Sequence, residues 1–257
     1  MSRFSIACEQ AARAGGRVLL QYRGKFSVRE KGKADLVTEA DLASQDAIKS
    51  YLYQEFPDHG FLGEEDSDSA GNTPTREFTW VVDPLDGTTN YVHGLENYCV
   101  SVALQQGQQI IEGAIYDPIR DVCFRATRHQ GAFRNEQPIS VSPVEQLSES
   151  LVAASFPAHV DRGSPEIDRF AEIVYRCQAI RRLGSAALNL ASLAAGRIDA
   201  FWSTSLKPWD VAAGALLVEE AGGAVMDLNG SKIDIMVPSL LTASTDTIAQ
   251  VLLDVLS

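Results

Sequence analysis

From Phe78 the chain carries four short β-rich runs in close succession, Phe78 to Val82, Tyr98 to Leu104, Ile110 to Tyr116 and Val122 to Ala126, with Asp117-Pro118 as a turn. Runs of this length and residue type, separated by turn residues, predict neighbouring strands of one sheet. Helical periodicity precedes them. Phe4, Ala7, Ala11, Ala14 and Val18 recur every three or four residues, so the first twenty residues predict an amphipathic helix ended by Gly24. Thr38-Glu39-Ala40-Asp41 has the form of a capping box; Ala47, Ile48, Tyr51, Leu52 and Phe56 line one face of the helix it opens, and Pro57 stops it. After about Pro143, strand-like runs at Leu151 to Ala154, Ala200 to Trp202 and Leu240 to Ala243 alternate with helical segments at about 165–177, 185–196, 209–221 and 245–256. Such alternation favours layered α/β architecture. The chain reads as an α+β half over 1–142 and an α/β half over 143–257, packed as one unit, with 45% hydrophobic content in 257 residues to fill a large core.

Charge narrows the partners. A formal net charge of -12 argues against nucleic acid and anionic membrane, which favour basic surfaces, and leaves an anionic substrate in need of local help. No stretch approaches the roughly 20 consecutive apolar residues of a membrane span. The start, Met1-Ser2-Arg3-Phe4-Ser5, lacks a signal peptide's apolar segment, so the expected location is the cytoplasm. Cys8, Cys99, Cys123 and Cys177 lie far apart, without the close pairs of a zinc or redox motif, and are expected as reduced core residues.

The chemistry concentrates in Trp80-Val81-Val82-Asp83-Pro84-Leu85-Asp86-Gly87-Thr88-Thr89-Asn90, an apolar strand running into a turn with two carboxylates three residues apart. Alone, Asp-Pro-x-Asp-Gly is a common β-turn sequence. Gly63-Glu64-Glu65 and Trp209-Asp210-Val211-Ala212-Ala213-Gly214 add acids flanked by small or apolar residues that a surface charge would not need. If Glu64, Asp83, Asp86 and Asp210 converge, four negative charges share one cleft, which requires a compensating cation. All-oxygen ligation with no His or Cys cluster suits magnesium rather than zinc. Two such ions, about 3.5 to 4 Å apart, can bind a phosphate and activate a water. Gly87-Thr88-Thr89-Asn90 could open a short helix whose N–H groups meet the same phosphate. Thr88 and Ser185 read equally as plain N-caps, and Asp41 as half of its capping box.

These segments resemble the signature motifs of the inositol monophosphatase family. Asp35-Leu36-Val37-Thr38-Glu39-Ala40-Asp41, Gly184-Ser185-Ala186-Ala187 and Glu220-Ala221-Gly222-Gly223 follow the family's order and spacing as well. The resemblance implies a five-layer α-β-α-β-α sandwich of the sugar phosphatase type. It also implies a homodimer that needs Mg2+, two to three ions per active site, and is sensitive to lithium. Glu64, Asp83 and the backbone carbonyl of Leu85 would hold one ion, and Asp83, Asp86 and Asp210 a second, with Glu64 reaching a third. Glu64 and Thr88 would activate the water, with Thr88 directed by Asp41. Asp86, Gly87, Thr88, Gly184, Ser185, Ala186 and Asp210 would meet the substrate. Glu65 is expected as a supporting acid, and Lys31 or Lys33 near the metal cluster.

The implied reaction is hydrolysis of a small phosphate monoester, inositol 1-phosphate or a related polyol or sugar phosphate. One position departs from the pattern. Inositol-hydrolysing relatives carry a glutamate seven residues before the aspartate of the Trp-Asp motif, and here that residue is Ser203. The shorter, uncharged serine loses a charge-assisted hydrogen bond to a ring hydroxyl, worth about 1.5 to 3 kcal/mol. Histidinol-phosphate phosphatase is the alternative among enzymes of this fold, and a regulatory or RNA-associated protein retaining the fold is the alternative of a different class. Fructose 1,6-bisphosphate and 3′-phosphoadenosine 5′-phosphate would need a basic cluster for their second phosphate, with Arg181-Arg182 as the candidate.

Overall fold

The computed structural model describes residues 1–32, 35–66, 76–157 and 159–256. The expectation for Lys31 or Lys33 falls on side chains outside the described residues. Helix α1 (Arg3–Tyr22) starts at Ser2, whose hydroxyl accepts from the Ser5 amide, and Gly24 just beyond its end takes a positive φ of 70°. A hairpin of β1 (Val28–Gly32) and β2 (Asp35–Thr38) leads into α2 (Glu39–Glu55), and the Thr38/Asp41 capping box is present.

The first large sheet follows chain order: β3 (Gly60–Gly63), β4 (Phe78–Asp86), β5 (Cys99–Gln106), β6 (Gln109–Asp117), β7 (Val122–Thr127), β8 (Ala132–Arg134) and β9 (Gln137–Ile139). Among the described residues of this sheet, only the β3–β4 pairing is parallel. Helix α3 (Thr88–Val92) lies between β4 and β5. The second sheet has the order β11-β10-β12-β14-β13, built from β10 (Leu151–Ser155), β11 (Ala179–Arg181), β12 (Ala200–Ser203), β13 (Ala224–Met226) and β14 (Leu240–Ala243). Between its strands run α4 (Pro165–Arg176), α5 (Ala186–Ala194) and α6 (Pro208–Glu220), and α7 (Asp246–Leu256) closes the fold.

Strand alternation sorts these elements into layers, because successive side chains point to opposite faces. Trp80, Val82, Val102, Leu104 and Tyr116 join the apolar core under α1 and α2, whereas Val81, Ala103, Ile115 and Phe124 join the core of α5 and α6. In the second sheet Phe201 faces that same middle layer, while Ala200 and Trp202 turn outward onto Ile173 of α4 and Ile248 and Leu252 of α7. The result is the five-layer α-β-α-β-α sandwich. The strand β4 outruns its expected end at Val82 and continues through Pro84 to Asp86. Proline is tolerated there because the β4–β5 register shifts between Asp83 and Asp86, where no ladder donor is needed. Among the described residues no helix is long and apolar enough to cross a membrane.

Helix α6 is seated by glycine. A Cβ on Gly214 would stand 2.6 Å from the Leu190 Cβ on α5. Alanine is the better helix former by about 1 kcal/mol, but overpacking against an atom next to the backbone costs about 1 to 3 kcal/mol. Gly214→Ala is therefore expected to lower the urea midpoint. An unchanged or higher midpoint would show that α5 yields at this crossing.

Candidate active site

The end of β4 is built as a rigid turn. Asp83 Oδ1 accepts from the Leu85 amide at 2.9 Å, and the Pro84 carbonyl accepts from Ser44 Oγ at 2.8 Å. Ser44 belongs to a buried polar stripe on α2 that sequence reasoning missed. Asp41, Ser44 and Gln45 lie three and four positions apart and so share one helical face. Gln45 Oε1 accepts from the Glu65 amide at 3.1 Å and fixes the turn after β3 in which Glu64 and Glu65 lie. The signal was available: three polar residues at i, i+3 and i+4, in line with Ile48.

Asp41 divides its two oxygens. Oδ2 accepts from the Thr38 amide at 2.8 Å and the Thr38 hydroxyl at 2.7 Å, and Oδ1 accepts from Thr88 Oγ1 at 3.2 Å. The capping role and the link to Thr88 coexist. Thr88 Oγ1 also lies 3.1 Å from the Leu85 carbonyl oxygen. Gly87 precedes α3 with φ of 98°, and a Cβ there would meet the Asn97 and Gly184 carbonyls at 3.0 and 3.2 Å, so only glycine suits this corner.

Asp86 reaches the other half of the fold. Its carboxylate accepts from the Ser185 hydroxyl and from the amides of Ala186 at 3.2 Å and Ala187 at 2.7 Å, which places it on the first turn of α5. An anion there satisfies orphan amide groups and complements the helix dipole. Ser185 and Ala186 are thus engaged with Asp86, and Cys99 Sγ lies 3.7 Å from both Asp86 and Ser185. Asn90 clamps the same corner by donating to the Asn97 carbonyl at 2.7 Å and the Leu183 carbonyl at 2.8 Å. Asp210, in the first turn of α6, accepts from the Lys207 amide at 2.7 Å.

Electrostatics shows that the four acids share one field. Burial pushes the Asp83 carboxyl well above its usual range, and Glu64, Asp86 and Asp210 raise it further. Asp210 is raised well above its usual value first by burial, then by Asp86 and Glu64, while its hydrogen bonds to the Lys207 amide and to Asp83 oppose the rise. Two carboxyls can hydrogen-bond only by sharing a proton. Asp86 is raised by burial, opposed by Ser185 and the two α5 amides. Among the described residues no three Asp, Glu, His or Cys side chains already surround one point as a bound ion would require. Asp86 is turned toward α5 and Asp210 toward Lys207. The donor chemistry nevertheless fits a hard divalent cation: carboxylate oxygens and a carbonyl gathered in a buried place.

Two further expectations can be located. Ser203 is fully buried at the end of β12, and its hydroxyl accepts from the Ser205 amide at 3.4 Å. Arg182 donates to the Phe156 carbonyl at 2.8 Å and the Pro157 carbonyl at 3.2 Å with its guanidinium 4.1 Å over the Phe156 ring, and Arg181 donates to the Ile180 carbonyl. Both arginines serve the backbone here rather than forming a cluster for a second phosphate.

Comparison with known proteins identifies the family and the fold. The sequence profile of the inositol monophosphatase family matches residues 2–257. Inositol monophosphatase 3 of Solanum lycopersicum is 42% identical over 236 residues, covering 90% of this chain and 87% of its own. The extragenic suppressor protein SuhB of Bartonella henselae superposes with a TM-score of 0.92 at 35% identity, covering 100% of this chain and 99% of that one. An IMPase/NADP phosphatase solved with Mg2+ and phosphate superposes with a TM-score of 0.83 at 26% identity, over 93% and 89% of the two chains.

Proposed function

Because the chain belongs to the inositol monophosphatase family and is a phosphoric monoester hydrolase, we propose that it releases phosphate from inositol 1-phosphate or a related polyol or sugar phosphate. The observation that carries this reading is the shared field of Glu64, Asp83, Asp86 and Asp210 beside the Asp41–Thr88 pair. We assign two to three Mg2+ ions as cofactor, held by Glu64, Asp83, Asp86, Asp210 and the Leu85 carbonyl. When bound, such ions neutralise the phosphate, acidify a water and favour departure of the alkoxide.

The protein's own groups orient and exchange protons. Asp41 accepts the Thr88 hydroxyl proton in a hydrogen bond, so the Thr88 oxygen can accept from the attacking water while Glu64 serves as its base. Gly87 and Thr88 offer backbone amides to the phosphate, and Gly184 borders the alcohol. Ser185 and Ala186, assigned to the substrate by sequence motif, act in this reading through Asp86 by holding it. Lithium sensitivity, a homodimer and a cytoplasmic location belong to the same proposal.

Thr88→Val keeps the shape and removes the hydroxyl. It is expected to lower kcat by about 10²-fold or more, within the range for a lost proton-transfer partner, while Thr88→Ser retains most activity. Equal rates in the two variants would remove Thr88 from the mechanism.

The lack of a glutamate at Ser203 favours a tolerant alcohol pocket and keeps histidinol phosphate in view. Phosphate release should be measured from myo-inositol 1-phosphate, histidinol phosphate, fructose 1,6-bisphosphate, 3′-phosphoadenosine 5′-phosphate and glycerol 2-phosphate, with magnesium, EDTA or lithium. Magnesium-dependent release from inositol 1-phosphate above the others supports the proposal. A single preference for histidinol phosphate replaces the substrate, and no release from any would favour the regulatory reading.

A further inference from the structure

Ser203 leaves the alcohol end of the substrate without the glutamate of inositol-hydrolysing relatives, and the next residue, Thr204, is hydrogen-bonded to another carboxylate, Glu166. Strands β10, β11 and β12 run parallel, so the chain leaves all three at the same edge of the sheet. That edge carries the site: Ser185 opens α5 after β11, and Asp210 lies in the first turn of α6 after β12. Ligands of parallel sheets bind outside these carboxyl ends. Helix α4 follows β10, and its first turn carries Glu166. Glu166 joins one loop to the next, because Oε1 accepts from Thr204 Oγ1 at 3.3 Å and Oε2 accepts from the Ser164 hydroxyl. Thr204 is the residue immediately after Ser203.

We propose that Glu166 determines specificity by doing from α4 what Ser203 cannot do from β12: accepting a hydrogen bond from a hydroxyl or ammonium group on the alcohol part of the substrate. Each carboxylate oxygen has two lone-pair directions, so the bonds to Thr204 and Ser164 leave room for a further donor. Those same bonds, with that from Ser164 first, hold the Glu166 carboxyl below its usual range and keep it charged at neutral pH. The shared chemistry of the ligand is a strong donor away from the phosphate, as on a polyol or an amino alcohol. This inference rests on the phosphatase reading and adds to it the residue that selects among substrates.

The test compares wild type with Glu166→Gln, which keeps an acceptor oxygen for the helix start. Substrates are myo-inositol 1-phosphate, histidinol phosphate and phenyl phosphate, the last without a distal donor. The expected result is a 10- to 100-fold fall in kcat/KM for at least one donor-bearing substrate relative to phenyl phosphate, the range of a lost charge-assisted bond, carried mainly by KM. The larger fall identifies the donor, hydroxyl or ammonium. Ratios that do not move, or an equal loss on all three with a lower Tm, would overturn the assignment and leave Glu166 as a helix cap. A wild-type chain that turns over phenyl phosphate while the ratios stay fixed overturns Glu166 alone. A wild-type chain that turns over none of the three overturns the phosphatase reading together with it.

Discussion

Asp210→Asn is expected to lower phosphate release by about three orders of magnitude or more, equivalent to roughly 4 kcal/mol of transition-state stabilisation, in a chain that remains folded. The substitution removes one negative charge while nearly preserving shape, and the asparagine carbonyl oxygen can still accept from the Lys207 amide that Asp210 engages at 2.7 Å. Folding should not suffer. Burial together with Asp86 and Glu64 already disfavours the charged form of Asp210, so a neutral side chain relieves repulsion in the metal-free protein and should hold or raise its Tm in EDTA. Activity moves the other way, because the lost charge belongs to the set assigned to the cation. Initial rates at saturating magnesium, with circular dichroism on the same samples, separate the two effects. Near-normal turnover would remove Asp210 from the proposed metal site.

How much of this was legible depended on whether the signal was local. The Thr38/Asp41 capping box, the stop before Pro57 and the β-rich runs of β4 to β7 are written within a few residues of where they act, and the structure has them within a residue or two apart from the extension of β4 to Asp86. Three- and four-residue strands such as β8, β11 and β13 carry too few side chains for a period and form because a neighbouring strand offers its ladder. In the site, motif resemblance pointed to the acids, but not to what each one touches. Ser44 and Gln45 belong to no sequence motif and gain their roles only where α2 is laid on the β3 and β4 turns. Asp86 and Ser185 lie 99 positions apart, so nothing local announces that the α5 start holds the Asp86 carboxylate. Glu166 follows the same logic, for its link to Thr204 is made by three parallel strands ending together.

The second large effect is expected from chelation combined with pH. Asp83, Asp86 and Asp210 all have carboxyls raised in the folded state. A raised carboxyl keeps its proton in the folded chain where the unfolded chain has released it, so stability falls as pH climbs from the ordinary Asp value toward the folded one. In EDTA the Tm should therefore decline from pH 5 to pH 8. On the proposed assignment, magnesium binds the charged carboxylates of the folded chain alone, which should flatten that decline and add about 2.7 kcal/mol at a concentration 100 times its Kd. For a chain of this size that corresponds to roughly 5 to 10 °C. The variant Asp210→Asn carries one fewer acid and should show both a shallower decline in EDTA and a smaller gain from magnesium. A Tm in EDTA indifferent to pH across this range would mean that the four acids do not repel one another in solution, and the requirement for a compensating cation would lose its physical basis.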